Sequence, residues 1–209
     1  MEYYVQLTIY IVAACLLGAF FLFLFLYFPI RRFLYEKRTI RMFYGSVRRV
    51  TLDNDFYLIN KWALAIGEDD SGVHIDHIIF GDKFIYVVKD RYYHGAISAK
   101  PDDQSWIYYL GKRKKKYIDN PLILNHIRAD RLSLASGLNR SYFVSIVLVN
   151  DDCLVTPFKN IADDNFLVPL SKLGKFIEAK EKSKDVDAFT PDELAIAVRD
   201  LAELNQNDK

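Results

Sequence analysis

The apolar residues of the chain are concentrated at its N-terminus. No charged residue occurs between Tyr3 and Ile30. The core of this run is about 22 residues, and an α-helix of that length spans about 33 Å, enough to cross the hydrocarbon core of a bilayer. A signal peptide is the rival interpretation, but the run is too long and is accompanied by neither a basic n-region nor a small-residue cleavage site. The pattern therefore predicts one transmembrane helix within residues 1–30.

Basic residues crowd the C-terminal side of the apolar run, whereas its N-terminal side offers only Glu2. The basic residues nearest the run are Arg31, Arg32, Lys37, Arg38 and Arg41. By the positive-inside rule, this asymmetry places the N-terminus outside and everything after Arg31 in the cytoplasm. We therefore expect a single-pass protein of the cell membrane, with residues 31–42 forming a basic juxtamembrane helix.

Strand-like and helix-like patterns follow one another after residue 43. Strands are predicted over 57–64, in "SGVHIDHIIFG" and "KFIYVVKD", around "SWIYYL", and in "SYFVSIVLVND". A short Gly/Asp turn joins the second and third of these and is typical of a hairpin. The unbroken apolar run of the last is typical of a strand that is buried on both faces. "GKRKKK" reads as the turn after "SWIYYL".

Two helices are marked by their capping residues. "NPLILNHIRADRLSLASGL" has Asn120 as a cap and Pro121 in the first turn, and an apolar stripe is predicted at Ile123, Ile127, Leu132 and Leu134. "TPDELAIAVRDLAEL" begins with Thr190 and has Glu193 three residues later, which predicts a capping box. A further short strand and helix are expected in "NFLVPLSKLGKFIEAK". The whole pattern predicts an α/β sandwich with a mixed sheet over residues 43–180, followed by a linker and helix over 181–209.

Charge and cysteine content exclude only a few classes of function. The formal net charge is +1, so attraction to nucleic acid or to anionic lipid must come from local patches. Cys15 and Cys153 lie in unrelated contexts and predict neither a disulfide framework nor a zinc site. The chain contains no phosphate-binding loop, no GxSxG motif and no Cys/His nucleophile pattern, and its four histidines form no metal-ligand pair on a helix.

One local patch is strongly basic. Five consecutive residues carry it, flanked by tyrosines: Lys112, Arg113, Lys114, Lys115 and Lys116. The patch could hold phosphate backbones while the tyrosines stack on bases. It could equally contact an anionic membrane leaflet, or be a solvated hairpin tip. The sequence leaves these three interpretations open.

Several short motifs occur in an order that resembles a known family. They are "IDHIIFGDKFIYVVKD", then "HGAIS", a tryptophan, "NPLILNHIRADRL" and the strand "VSIVLVND". Together they resemble the NERD (nuclease-related) domain over about residues 43–155. That family is placed in the PD-(D/E)XK superfamily. The resemblance implies a restriction-endonuclease-like mixed sheet flanked by helices, here preceded by one transmembrane helix.

The resemblance also implies a metal-dependent chemistry. A glutamate on the first helix, an aspartate in "IDH" and an E-x-K pair on the next strand would hold Mg²⁺ and activate water. Asp76 matches the aspartate and Lys89 matches the lysine, so these are the candidate catalytic residues. Ser46 and Val87 stand where the two glutamates are expected. The later motif keeps Asn120, Pro121 and Asn125, with Leu124 in place of the usual glutamine.

These departures leave Asp76 as the one matched metal-ligand position. A single carboxylate is a poor Mg²⁺ site because hard cations require several oxygen ligands. Asp90 could replace the missing acid only if a bulge turned it, since alternation places it on the opposite strand face from Lys89. Glu68, Asp69 and Asp70 could supply a carboxylate from the preceding loop.

Three hypotheses follow for the function. The first is a degenerate, non-catalytic NERD-like domain that binds nucleic acid or a protein partner at the cytoplasmic membrane face and needs no cofactor. The second is a working nuclease that uses Mg²⁺ with a displaced acid. The third is an envelope-associated scaffold that assembles with unknown protein partners through residues 155–209.

Overall fold

The computed structural model divides the chain into two compact units, Met1–Met42 and Phe43–Lys209. It describes residues 2–64, 72–111, 114–156, 158–160, 162–184 and 186–206. The first helix, α1, runs from Glu2 to Asp53 and so contributes residues to both units.

The first unit is a stretch of α1. Its segment Tyr3–Tyr27 is 25 residues long with a mean hydropathy of 2.8, and no part of its most apolar stretch is buried within the structure. By length and composition this segment is a candidate membrane anchor. The helix continues without a break through residues 31–42, the segment expected to form a juxtamembrane helix, and contains Pro29.

The second unit carries the strands and the remaining helices. Its strands are β1 Tyr57–Leu64, β2 Val73–Phe80, β3 Ile85–Arg91, β4 Ala96–Ser98, β5 Ser105–Gly111, β6 Lys114–Asp119, β7 Phe143–Val149, β8 Leu154–Val155 and β9 Asn165–Pro169. Its further helices are α2 Pro121–Ser136, α3 Leu173–Glu181 and α4 Pro191–Glu203. The fold is therefore of the mixed α/β class, as predicted.

A five-stranded sheet with the order β1-β2-β3-β7-β9 forms the centre of this unit. Strands β1, β2 and β3 pair antiparallel, whereas β3, β7 and β9 are parallel neighbours. The predicted β2–β3 hairpin is confirmed. Every residue of β7 is buried, which confirms the prediction of a strand covered on both faces.

A second sheet has the order β6-β5-β4-β8. Its inner side chains Ile97 and Trp106 pack in one apolar cluster with Leu122 of α2 and with Val147 and Val149 of β7. The prediction of a turn at "GKRKKK" was wrong for Lys114–Lys116, because these residues belong to β6. This strand lies at the edge of the sheet, where charged side chains oppose pairing with another chain.

Helices cover both faces of the central sheet. Ala129 and Leu132 of α2 and Leu201 of α4 share an apolar cluster with Val87 of β3. On the opposite face, the Tyr86 hydroxyl donates a 2.6 Å hydrogen bond to Glu181 of α3. Because neighbouring strand residues point to opposite faces, these contacts fix which helix lies on which side.

The buried face of α2 differs from the predicted stripe. Its cap is as predicted, since Asn120 Oδ1 accepts a 2.9 Å hydrogen bond from the Leu122 N–H. Of the four predicted stripe residues only Leu132 is fully buried, whereas Ile123, Ile127 and Leu134 are exposed. The buried residues of α2 are Pro121, Leu122, Asn125, Ala129, Leu132 and Ser133. The stripe prediction was therefore wrong for three of its positions.

The capping box of α4 provides a local test of stability. Thr190 Oγ1 accepts from the Glu193 N–H at 3.3 Å, and the Thr190 N–H donates to the Glu193 carboxylate at 2.8 Å. We expect Thr190→Ala to lower the free energy of unfolding by about 1 kcal/mol, since one helix N–H then loses its acceptor. Urea unfolding measures this change, and Thr190→Ser, which retains the acceptor, should cost much less. Equal losses in both variants would contradict a capping role.

Candidate functional site

Asp76 of β2 and Lys89 of β3 lie side by side in the central sheet. Asp76 Oδ1 accepts a 2.8 Å hydrogen bond from Lys89 Nζ, and Asp76 Oδ2 accepts a 2.9 Å bond from the Asp90 N–H. Both carboxylate oxygens are therefore engaged by the protein itself. The side chains remain partly accessible, at 32% for Asp76 and 13% for Lys89.

Val87 is sealed into the hydrophobic core. It precedes Lys89 by two residues, on the same face of β3, and its exposed fraction is 0%. Its cluster includes Ile78, Ala129 and Phe143. The place of the family's second acid is thus filled by apolar packing, and no space is left there for a hydrated cation. Ser46, at the other substituted position, lies on α1 and offers only a hydroxyl.

Asp90 is held away from Asp76 by a buried histidine. His77 Nε2 lies 2.9 Å from Asp90 Oδ2, and His77 Nδ1 lies 2.6 Å from the side-chain oxygen of Asn60. Burial raises the pKa of the Asp90 carboxyl above its usual range, although the hydrogen bond with His77 acts in the opposite direction. Asp90 thus belongs to the Asn60–His77 network, and β3 contains no bulge that would turn it toward Asp76.

The residues that the structure describes around Asp76 do not fit a magnesium ion. Among the described residues, no group of three or more His, Cys, Asp or Glu side chains is arranged to hold a metal. Asp76 alone cannot supply the oxygen ligands that Mg²⁺ requires, and its partner Lys89 is a cation. Glu68, Asp69 and Asp70, the other predicted sources of a carboxylate, lie outside the described residues.

Basic residues lie on the same face of the sheet as Asp76. Arg91 follows Lys89 by two residues on the same face of β3, and Arg128 lies on α2. Burial lowers the pKa of the Arg128 guanidinium, and Arg91 and Arg131 lower it further, while Asp76 acts in the opposite direction. We call Lys89, Arg91, Arg128 and Arg131 the basic cluster.

Arg128 has an unused hydrogen-bond donor. Its Nη1 atom is buried and makes no hydrogen bond within the described part of the chain. A buried donor without an acceptor is unfavourable, so a ligand oxygen placed there would be bound favourably. Sequence reasoning missed Arg91 and Arg128. Strand alternation from Lys89 could have found Arg91, whereas Arg128 approaches only through the packing of α2.

The asparagine motif has a structural role. Asn125 Nδ2 donates to the Val87 carbonyl at 2.8 Å and to Ser145 Oγ at 2.9 Å, so it joins α2 to β3 and β7. Asn120 Nδ2 donates to the carbonyls of Pro101 and Asp103 in the second sheet's connecting loop. Pro121, the other motif residue, occupies the first turn of α2. These residues therefore position the strands that carry the site and leave its chemistry to other side chains.

A cleft lies between Arg91 of the basic cluster and the β5–β6 hairpin. It has a volume of about 360 Å³, and its lining residues are Arg91, Tyr93, Lys116, Tyr117, Ile118, Asp119 and Leu124. The structure thus brings one lysine of the predicted basic patch next to the basic cluster. Lys112 and Arg113, the first two residues of that patch, lie outside the described residues.

One comparison with known proteins gives a match. The family model "NERD: Nuclease-related domain" matches residues 40–150, more than half of the chain. No curated protein and no solved structure matches. The matched region runs from α1 through β7 and so contains Asp76, Lys89 and α2.

Proposed function

The chain belongs to the nuclease-related domain (NERD) family, and we propose that it binds the phosphate backbone of nucleic acid at a membrane without metal-dependent cleavage. The observation that carries this proposal is the basic cluster beside Asp76, whose carboxylate is already paired with Lys89. In this proposal the domain retains a restriction-endonuclease-like framework but has replaced its metal site with a site for an anion.

The electrostatics of the cluster favour phosphate over a divalent cation. Lys89 pairs with Asp76, and Arg128 also interacts electrostatically with it. The Asp90 carboxylate is engaged by His77 and so adds little negative charge at this site. A divalent cation placed here would be repelled by the guanidinium groups, whereas a phosphate oxygen would be attracted. Guanidinium groups bind phosphate through paired, charge-assisted hydrogen bonds, and Arg128 Nη1 is available for such a bond.

The N-terminal segment supports a membrane location for this binding. Tyr3–Tyr27 is apolar enough to anchor the chain. The basic residues that follow favour an external N-terminus and a cytoplasmic domain by the positive-inside rule. Nucleic acid bound by the domain would then be held close to the inner surface of the cell membrane.

Replacing Asp76 distinguishes an anion-binding site from a metal-binding site, because the two kinds of site predict opposite effects. We expect the full-length chain, in nanodiscs of neutral phosphatidylcholine, to bind a labelled oligonucleotide and to leave it intact with Mg²⁺ or Mn²⁺. Asp76→Asn removes the negative charge but retains an acceptor for the Asp90 N–H. It should therefore tighten binding roughly threefold to tenfold at low salt, because Lys89 is released and one repulsion is lost. Fluorescence anisotropy and gel electrophoresis measure binding and cleavage.

Arg128→Gln tests the same site from the opposite direction. It should weaken binding and reduce the dependence of affinity on salt concentration. Arg199→Gln is the matched control, since Arg199 lies on α4 and pairs with Asp200. Metal-dependent cleavage that Asp76→Asn abolishes would establish the active-nuclease alternative. The absence of any binding would contradict the proposal and favour a scaffold that assembles with protein partners.

A further inference from the structure

The outer face of the β5–β6 hairpin combines aromatic and basic side chains. Tyr109 of β5 pairs with Lys115 of β6, and Ile107 pairs with Tyr117, so these four side chains lie on one face. Tyr109 is 41% exposed and Tyr117 is 61% exposed. Lys115 Nζ lies 5.8 Å from the centre of the Tyr117 ring. Two accessible aromatic rings with a cation between them form a surface on which planar groups can stack.

The cleft beside this face provides contacts for phosphate. Lys116 follows Lys115 on β6 and therefore points to the opposite side of the hairpin. It lines the cleft together with Tyr117, Arg91, Leu124 and the acidic Asp119, so residues from both faces of β6 reach the cleft. Arg128 lies one helical turn after Leu124 on the same face of α2, so the cleft leads toward the basic cluster.

A double helix does not match this arrangement. Its bases are stacked on one another and paired, so they present no free ring face to Tyr109 or Tyr117. An unpaired strand can place its bases on aromatic rings while its backbone follows the cations. The hairpin therefore offers contacts that only a single strand can use.

A membrane surface fits the hairpin face and its cleft less well than a single strand does. Exposed tyrosines and lysines also occur at bilayer interfaces. However, the cations of the cleft lie between the end of β3, β6 and α2, and Arg128 Nη1 is buried. A bilayer is far broader than this concave site and cannot enter it, whereas a nucleotide chain can.

We infer that the hairpin face and the adjoining cleft bind single-stranded nucleic acid, with bases stacked on Tyr109 and Tyr117 and phosphates held by Lys116 and Arg91. This inference rests on the proposed function and narrows its ligand to unpaired strands. The shared chemistry of DNA and RNA strands, an aromatic base and a phosphodiester, is what the site recognises.

The test compares single strands with duplexes of the same sequence. The full-length chain in neutral phosphatidylcholine nanodiscs is titrated with labelled 20-nucleotide DNA and RNA strands, and with the duplex of each, at equal salt concentration. We expect a single strand, DNA or RNA, to bind at least about tenfold more tightly than its duplex. Tyr117→Ala should weaken single-strand binding about fivefold to a hundredfold. Tyr117→Phe, which keeps the aromatic ring, should bind single strands with the affinity of the parent chain. Duplex binding should change little in either variant.

A tyrosine outside the proposed binding surface provides the control. Tyr57→Ala removes another exposed tyrosine, 53% accessible, from β1 at an edge of the other sheet, and should leave binding unchanged. Equal affinity for strand and duplex with no effect of Tyr117→Ala would overturn this inference and leave the phosphate-binding proposal intact. The third outcome is that the chain binds neither strand nor duplex but binds phosphatidylserine vesicles, and that alanine replacement of Lys114–Lys116 abolishes vesicle binding. This outcome would overturn both the phosphate-binding proposal and the single-strand inference, and it would identify the hairpin as a membrane-binding surface.

Discussion

Restoring the family's acid by Val87→Glu should strongly destabilise the domain rather than restore a nuclease. The new carboxyl group would lie in the apolar cluster of Ile78, Ala129 and Phe143, where the side chain of Val87 is fully buried. Burying an uncompensated carboxylate costs about 3 to 5 kcal/mol, a large part of the stability of a typical domain. Urea unfolding of the full-length chain in detergent, followed by the fluorescence of the buried Trp62 and Trp106, measures the loss.

The pH dependence of this variant identifies the cause. Burial raises the pKa of the new carboxyl group in the folded state, so the folded chain binds its proton more tightly than the unfolded chain does. The stability that the variant loses relative to the parent should thus be smallest below the unfolded pKa of about 4.3 and should grow as the pH rises above it.

Val87→Gln, of the same size but without charge, is the matched control and should lack this added pH dependence. A Val87→Glu chain that is as stable as the parent at neutral pH, and that cleaves DNA with Mg²⁺, would refute our interpretation of the site.

Asn125→Leu should destabilise the domain by about 2 to 4 kcal/mol. The side chain of Asn125 is completely buried, and its amide group donates to the Val87 carbonyl, Ser145 Oγ and the Ile146 carbonyl. Leucine has a similar volume but leaves these acceptors without that donor in a site that is closed to water. The change in the urea midpoint reports the loss.

A surface asparagine provides the comparison for Asn125. Asn54 donates a hydrogen bond to the Val50 carbonyl at the exposed end of α1, where water can replace it. Asn54→Leu should therefore change stability by less than about 1 kcal/mol. Similar losses in the two variants would mean that the buried amide is not what joins α2 to β3 and β7.

The features that the sequence predicted correctly are governed by near neighbours. The β2–β3 hairpin follows from two alternating runs around a short turn, and the caps of α2 and α4 follow from Asn120 and Thr190. The resemblance named Asp76 and Lys89 as site residues, and the structure places their side chains in contact, while their catalytic role stays a prediction. Each of these features depends on contacts between residues that lie near one another in the sequence.

The features that the sequence did not predict depend on how distant elements pack. Helix α2 contacts two cores, with Leu122 in the second sheet's cluster and Leu132 in the central one, so its buried face is not a single apolar stripe. That face includes the polar Asn125, while Leu134 is 82% exposed. Arg128 likewise approaches Asp76 only because α2 lies across β3. Hydrophobic periodicity alone contains none of this information.

The position of β7 in the chain has a consequence for folding. Its seven residues, "FVSIVLV", contain no charge and no proline, which is the composition of an aggregation-prone segment. Its parallel partner β3 precedes it in the chain and is joined to β2 by a tight turn. The β2–β3 hairpin is therefore synthesised before β7, and one edge of β7 can pair with β3 as soon as β7 leaves the ribosome. The other edge waits for β9, which is synthesised later. Arg140 and Asp151, which flank β7, place charges at its two ends and so act as gatekeepers during that interval.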